Sequence, residues 1–185
     1  NLDAELRTVL AADVRELLKR SAITALLVTH DQHEAFAMAD QITLLNQGRI
    51  VQTASPYDLY HHPLSPFVAA FIGEGAIITA TINRAGEVTE PFTGAGKPGE
   101  TDARCQLLVR PGDITYDAGS TTRLRVARRS FRGAHYLYEL LLPDGQRVPC
   151  LAPGHIEVPA GATLPVSLQL QTHLAFRGGQ ANREA

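Results

Sequence analysis

A histidine near the beginning of the chain is flanked by sequence patterns that are typical of a ligand-binding residue. His30 follows a short apolar run, residues 23–28, and precedes a polar segment, residues 31–35, that opens a helical pattern. The run has the length of a buried strand, and open α/β sheets bind ligands beyond the carboxyl ends of their strands. His30 is therefore the first candidate for a residue that contacts a ligand. The alternative is a histidine that caps the following helix or is simply exposed.

Asp3 and the other histidines suggest fewer chemical roles. Asp3 precedes a long amphipathic pattern and can cap the helix that this pattern predicts. His33 lies three residues after His30, but no third ligand stands at a fixed spacing, so we expect no metal site. His61 and His62 would point about 100° apart on a helix, which is poor geometry for two ligands of one metal.

The elements that position these residues are mostly helical in the first part of the chain. Apolar residues at three- and four-residue spacing predict a helix over residues 3–20. A buried strand over residues 23–29 and a second helix over residues 31–39 are predicted to follow. Residues 42–51 predict a hairpin.

Two short helices are predicted next, each announced by a serine followed by a proline. Ser55 and Ser65 can cap them, and the prolines occupy the first helical position, where no amide proton is needed. Gly73 can end the second helix, and a change of domain is predicted at residues 73–75. All 15 glycines lie from Gly48 onward and all 11 prolines from Pro56 onward, as expected if helices give way to short strands and turns.

The second part of the chain contains short apolar runs that predict strands. A tight turn is predicted at residues 143–145, and residues 94–102 are predicted to form a loop. Together the strands favour a small, partly closed barrel of the oligonucleotide/oligosaccharide-binding (OB) type. The predicted strands are residues 77–83, 106–110, 123–131, 135–142, 146–151 and 164–170.

Composition excludes several classes of protein. The apolar content of 44% and the charged content of 19% are ordinary for a globular protein, and no apolar run approaches the roughly 20 residues that span a bilayer. A net charge of −2 with 6% aromatic residues argues against a nucleic-acid partner. Cys105 and Cys150 have no metal-like spacing and fit reduced thiols better than a disulfide scaffold.

Residues 123–132 contain five arginines and no acidic residue. Arg123 and Arg125 alternate with Leu124 and Val126, which predicts a strand with one face in solvent. The alternative is an anion-sensing patch, because guanidinium groups bind oxyanions through paired hydrogen bonds.

Several of these segments resemble the ATPase subunits of ATP-binding cassette (ABC) importers. Residues 1–4, Asn-Leu-Asp-Ala, resemble the D-loop, and His30 with the residues after it resembles the switch-histidine loop. Residues 55–73 resemble the helical connector of these subunits. Residues 108–114 and 131–138 resemble two segments of their carboxyl-terminal regulatory (TOBE) domain, some examples of which bind molybdate or sulfate.

Other parts of such an ATPase do not occur in this sequence. It contains neither a G-x-x-x-x-G-K-[ST] phosphate loop nor a Leu-Ser-Gly-Gly-Gln-type signature, and its one methionine, Met38, lies well inside the chain. We therefore expect the carboxyl-terminal part of a larger protein. By itself this part is expected neither to bind ATP tightly nor to hydrolyse it.

The resemblance implies an α+β chain. A partial α/β P-loop NTPase remnant with helices and a few strands would be followed by a β-rich, OB-like TOBE domain. The implied boundaries are residues 1–54 for the cassette remnant, 55–73 for the connector and 74–185 for the regulatory domain. Gly112 stands where the family carries a glutamate.

The resemblance also implies a function. The intact protein would be the ATP-binding subunit of a bacterial importer, with ATP and Mg²⁺ as cofactors. His30 would contact the γ-phosphate, and Asp3 would act across a homodimer. Permease subunits would be direct partners and a periplasmic solute-binding protein an indirect one, at the cytoplasmic face of the inner membrane.

The transported solute is less clearly indicated than the family. Residues 71–75 with the apolar strand after them resemble ferric-iron importers most closely. Polyamine, sulfate/molybdate, phosphonate and sugar importers are alternatives. A different class of function is a ligand-sensing or dimerisation module without catalysis.

Overall fold

The structure, a computed structural model, describes residues 4–85, 87–92, 103–170, 174–177 and 180–181. The chain divides into two compact units, Asn1–Pro63 and Leu64–Ala185. This division falls before the region of residues 73–75 where the sequence predicts a change of domain. The second of the two short helices therefore belongs to the second unit.

The first unit begins with two helices that match the sequence predictions closely. Helix α1 spans Ala4–Arg20, and helix α2 spans Gln32–Met38. The Asp31 side chain caps α2 by accepting a hydrogen bond from the backbone N–H of His33. The apolar stripe of α1 is largely exposed, since Val9 and Leu17 are 53% and 64% accessible.

The predicted strand over residues 23–29 is wrong. These residues form no strand, and Leu26 and Val28 are 92% and 88% exposed. A β-strand is stable only when a neighbouring strand pairs with its backbone groups, and no strand in the described part of the chain lies beside this segment. An apolar run of strand length therefore stays an exposed connection between α1 and α2.

A hairpin and a short helix complete the first unit. Strands β1, Ile42–Asn46, and β2, Arg49–Ala54, pair in antiparallel fashion around the predicted turn. Helix α3, Pro56–His61, follows with Ser55 as its cap: the Ser55 hydroxyl accepts from the Asp58 N–H. Both the hairpin and the serine cap are confirmed.

The second unit opens with the other proline-initiated helix. Helix α4, Pro66–Phe71, is capped by the Ser65 hydroxyl, which accepts from the Val68 N–H at 3.3 Å. Gly73 has φ +74°, the left-handed conformation that commonly ends a helix. Val68 and Ala69 are buried, and Ala69 packs with Leu108, Leu174 and Phe176.

Five strands close into an OB-like barrel, and four of them were predicted; the predicted strands at residues 77–83 and 106–110 lie instead in a second sheet. The barrel strands follow the order β10-β6-β9-β8-β7, with β6 and β9 parallel and the other pairs antiparallel. A short 3₁₀ turn, Pro111–Asp113, leads into β6, which the sequence did not reveal. The barrel strands are β6, Ile114–Tyr116; β7, Arg123–Phe131; β8, His135–Leu141; β9, Arg147–Pro153; and β10, Thr163–Leu168.

A second sheet lies beside the barrel in the same unit, with strand order β12-β11-β5-β3-β4. The Gln146 side chain joins the two: its amide donates to the Thr79 carbonyl and accepts from the Thr79 N–H. The predicted loop at residues 94–102 lies outside the described residues. The strands of this sheet are β3, Ala76–Ile82; β4, Val88–Glu90; β5, Ala103–Val109; β11, Ala175–Arg177; and β12, Gln180–Ala181.

Alternation is clearest in β8 and β9. In β8, every second residue is buried, and Tyr138 and Leu140 are fully so. Val148 and Cys150 of β9 face the same interior. One face of these two strands thus supplies the core while the other carries polar groups described below.

Candidate functional site

His30 lies at a bend immediately before α2, and its side chain is exposed. The backbone on either side of it is held by side-chain hydrogen bonds. The Thr29 hydroxyl donates to Glu34 Oε2 at 2.8 Å and accepts from the Asp31 N–H at 3.0 Å. These bonds fix the loop that carries His30 to the first turn of α2.

An exposed imidazole on a fixed loop can donate a hydrogen bond to an incoming oxyanion. A hydrogen bond to a charged group contributes about 1.5–3 kcal/mol, which is enough to bias a switch between two states. His33 is also exposed, on the first turn of α2. Asp3, the other predicted site residue, lies outside the described residues together with Asn1 and Leu2.

The contacts between α1 and α2 hold the two helices on either side of the His30 loop. Arg15 and Lys19 of α1 each donate to Asp40 at 2.6 Å, just after α2. Arg15 also donates to the carbonyl of Met38. The hydrogen bonds from Lys19 and Arg15 hold the pKa of Asp40 below its usual value. These ion pairs supply a link that the sequence patterns did not indicate.

In the part of the chain that the structure describes, the other His, Cys and acidic residues form no metal-binding cluster. No three His, Cys, Asp or Glu side chains in the described ranges are arranged to hold a metal ion. Cys105 and Cys150 are buried thiols that form no disulfide, and burial raises the pKa of Cys150 to about 12. Because the thiolate is the reactive form, Cys150 is a structural residue. None of the helices that the structure describes has the length and apolarity needed to cross a bilayer.

The arginine-rich strand forms one wall of a groove in the second unit. As predicted, Leu124 and Val126 face the core while Arg123 and Arg125 are exposed. Beyond them the chain lines a groove of about 310 Å³, here called the arginine groove. Its charged lining residues are Arg128, Arg129, Arg132, Arg147 and Glu139.

Two members of this groove escaped the sequence analysis. Arg147 and Glu139 come from β9 and β8, and they form an ion pair at 2.6 Å. The register of the hairpin pairs Glu139 with Pro149 and Leu141 with Arg147, so the two charged residues are diagonal neighbours on one face. Counting outward from the turn at residues 143–145 would have placed them together.

The segment at the end of β5 is held by its own polar contacts. The Asp113 carboxylate accepts from the Arg110 N–H at 2.7 Å, and the Arg110 guanidinium donates to the Glu74 carbonyl at 3.0 Å. Gly112 has open space around the position of a Cβ atom. A glutamate would therefore fit at this position, and its replacement by glycine leaves the turn intact.

Comparison with protein-family models gives one match, the TOBE domain, over residues 107–176. The match begins within β5, covers all five barrel strands and ends within β11. The chain therefore contains a TOBE domain with an OB-like barrel. Such domains are typical of ABC transporter ATPases.

Proposed function

We propose that this chain is part of the ATP-hydrolysing subunit of a bacterial ABC importer. The observation that carries the proposal is the TOBE match over residues 107–176, on a closed five-stranded barrel. A further support is His30, which is exposed on a loop fixed by Thr29 and Asp31 and resembles the switch histidine of such subunits.

In this proposal His30 donates a hydrogen bond to the terminal phosphate of ATP, and Asp3 acts across a dimer of two subunits. The exposed imidazole of His30 fits that task because a nucleotide can approach it from solvent, and an imidazole can donate a hydrogen bond to a phosphate oxygen. Bound ATP supplies the phosphoryl group, and its transfer to water depends on positioning and electrostatic stabilisation. No His, Cys, Asp or Glu cluster in the described segments could hold Mg²⁺, so no metal ligand is assigned here.

The proposed setting is the cytoplasmic face of the inner membrane. There the subunit pairs with a second copy and contacts the permease subunits, while a periplasmic solute-binding protein delivers the solute. Ferric iron is the proposed solute, on the resemblance of residues 71–75. Uptake by the complete transporter, compared between ferric iron and polyamine, sulfate, molybdate, phosphonate and sugar, decides between iron and the other solutes.

Replacing the proposed switch histidine tests the ATPase proposal. In the complete subunit, His30→Ala should lower ATP hydrolysis and solute uptake by about 10²-fold, the usual effect of losing one donor to a developing charge. His33→Ala is the matched control, since His33 is also exposed and lies only three residues away. Unchanged hydrolysis and uptake in His30→Ala would contradict the proposed role of His30.

A second candidate is a binding or dimerisation module without catalysis. The observation that favours it is that the barrel is closed and shares one buried core with the second sheet of the same unit. A complete subunit without ATPase activity, together with self-association of this chain in light scattering, would favour this candidate over the ATPase.

A further inference from the structure

The arginine groove concentrates positive charge on one side of the second unit. Arg128 and Arg129 come from β7, Arg132 from the turn after it, and Arg147 from β9. Glu139 is the one acidic residue in its lining. Four arginines thus line the groove, and three of them have a carboxylate partner.

A bulge interrupts β7 just before Arg128. The pairing of β7 with β8 shifts register between Val126 and Arg128, so Ala127 is an extra residue in the strand. A bulge of this kind bends a strand. After it the pairing is regular again, with Arg128 opposite Glu139 and Arg129 opposite Tyr138, and both arginines are among the residues that line the groove.

Three of the four guanidinium groups have partners, and all of these partners are accessible to solvent. Arg129 pairs with Glu157 at 2.7 Å, and Arg147 pairs with Glu139. Arg132 donates to both carboxylate oxygens of Glu74, at 2.7 and 2.9 Å. Exposed ion pairs of this kind are weak because water solvates both partners well, so an anion in the groove can compete for the arginines.

Arg128 differs from the other three arginines. It lies directly opposite Glu139 on β8, but the Glu139 carboxylate contacts Arg147. In the described part of the chain Arg128 has no ion pair or hydrogen bond through its side chain, and it is exposed. It is therefore the guanidinium most available to an incoming anion.

We propose that the arginine groove binds a small organic molecule with two or more carboxylate or phosphate groups. The groove has a volume of about 310 Å³ and opens to solvent, so it has room for more than a single tetrahedral oxyanion. Guanidinium groups prefer carboxylates and phosphates because both accept paired hydrogen bonds. Several anionic groups are needed to engage arginines that come from two strands and a turn. The proposal does not depend on the ATPase assignment.

Isothermal titration calorimetry on the full chain at low salt tests the proposal. Citrate is the probe with several carboxylates, fructose 1,6-bisphosphate is the probe with two phosphates, and sulfate is the control with a single anionic group. At least one of the two polyanions should bind with Kd below about 1 mM, and sulfate should bind about tenfold more weakly. Binding should weaken as NaCl is added. No binding of either polyanion, or sulfate binding as tight as theirs, would overturn the proposal.

Substitutions locate the bound anion. Arg128→Gln and Arg132→Gln should each weaken binding about tenfold, whereas Arg123→Gln, on the same strand but outside the groove, should not. An equal loss of affinity in Arg123→Gln would show that binding depends only on net charge and would overturn the proposed binding site.

The carboxylate that competes for Arg132 gives an opposite test. Glu74→Gln frees the Arg132 guanidinium, so the affinity for the probe should rise several-fold. Glu87→Gln makes the same charge change at an exposed position outside the groove and should leave the affinity unchanged. Thermal melts of each variant check that the fold is retained. An equal rise with Glu87→Gln would contradict the proposed site.

Discussion

Asp40 shows how one residue can join two helices that share no core. It accepts hydrogen bonds from Arg15 and Lys19 of α1 at 2.6 Å, although its own position follows α2. In the described residues of α2 no side chain is fully buried. Polar contacts through Asp40 thus contribute to the pairing of α1 with α2, beside the half-buried side chains of α2.

Removing the Asp40 charge should loosen this pairing in a pH-dependent way. Hydrogen bonds from Lys19 and Arg15 lower the pKa of Asp40 from 3.8, so the folded state favours the charged carboxylate. Its contribution is present above pH 3.8 and is lost as the pH falls through the lower, folded-state pKa. Asp40→Asn should therefore lower the free energy of unfolding of the first unit at pH 7. In strong acid the variant and the unchanged chain should have the same free energy of unfolding.

Urea titrations followed by circular dichroism at 222 nm measure this effect, because most helical residues lie in the first unit. Asp13→Asn is the control: Asp13 is exposed on α1 and has no ion pair in the described residues. A difference for Asp40→Asn that persisted unchanged from pH 7 to pH 2 would contradict the assigned cause.

At the scale of elements, Tyr138 fastens a loop to the barrel. Its hydroxyl donates to the Ile156 carbonyl at 2.6 Å and accepts from the Val158 N–H at 2.9 Å, while the residue is fully buried in β8. A backbone segment without regular structure thus satisfies its polar groups through one side chain. Burial raises the pKa of Tyr138, which keeps the phenol protonated.

Tyr138→Phe should destabilise the second unit by about 1–2 kcal/mol, because two backbone groups lose their partner. Chemical denaturation at pH 7 measures the loss. Tyr136→Phe is the control, since the Tyr136 hydroxyl has no hydrogen bond in the described residues, and it should change stability little.

The raised pKa of Tyr138 also predicts an alkaline limb. The contribution of this phenol is present below its ordinary pKa of 10.0 and is lost as the pH rises through the higher, folded-state pKa. Tyr138→Phe should remove this part of the alkaline destabilisation. Equal costs for the Tyr138 and Tyr136 variants at pH 7 would show that the two hydrogen bonds contribute nothing.

At the scale of the molecule, the position of α4 decides where the second unit begins. Val68 and Ala69 are buried, and Ala69 packs against Leu108 and Phe176 of the β-rich part. The sequence placed the boundary after this helix, because the glycine at position 73 and the strands beyond it mark a change of composition. The packing shows that α4 completes the core it precedes.

Two polypeptides distinguish these boundaries. Residues 64–185 should fold cooperatively by themselves, whereas residues 74–185 should lose about 2–4 kcal/mol of unfolding free energy because the side chains under α4 become exposed. Urea unfolding followed by near-ultraviolet circular dichroism measures both. Equal stabilities would mean that the helix adds nothing to the unit.

Much of the fold could be predicted because its determinants are local. Ser55 and Ser65 cap their helices through bonds that span three residues, and the turn at residues 143–145 closes with a hydrogen bond from the Gly145 N–H to the Leu142 carbonyl. Alternation in β7 identified its buried face. The exposed side chain of His30 fits both interpretations of this residue, as a ligand contact and as a simply exposed histidine.

By itself, then, the sequence determined the helix starts, the turns and four of the five barrel strands, since these depend on residues close together in the chain. Only the tertiary structure decided the rest. An apolar run such as residues 23–28 becomes a strand only where another strand pairs with it, and here none in the described residues does. Glu74 reaches Arg132 through the path of the chain after α4, and β10 closes the barrel by pairing with β6 and β7, which no local pattern contains.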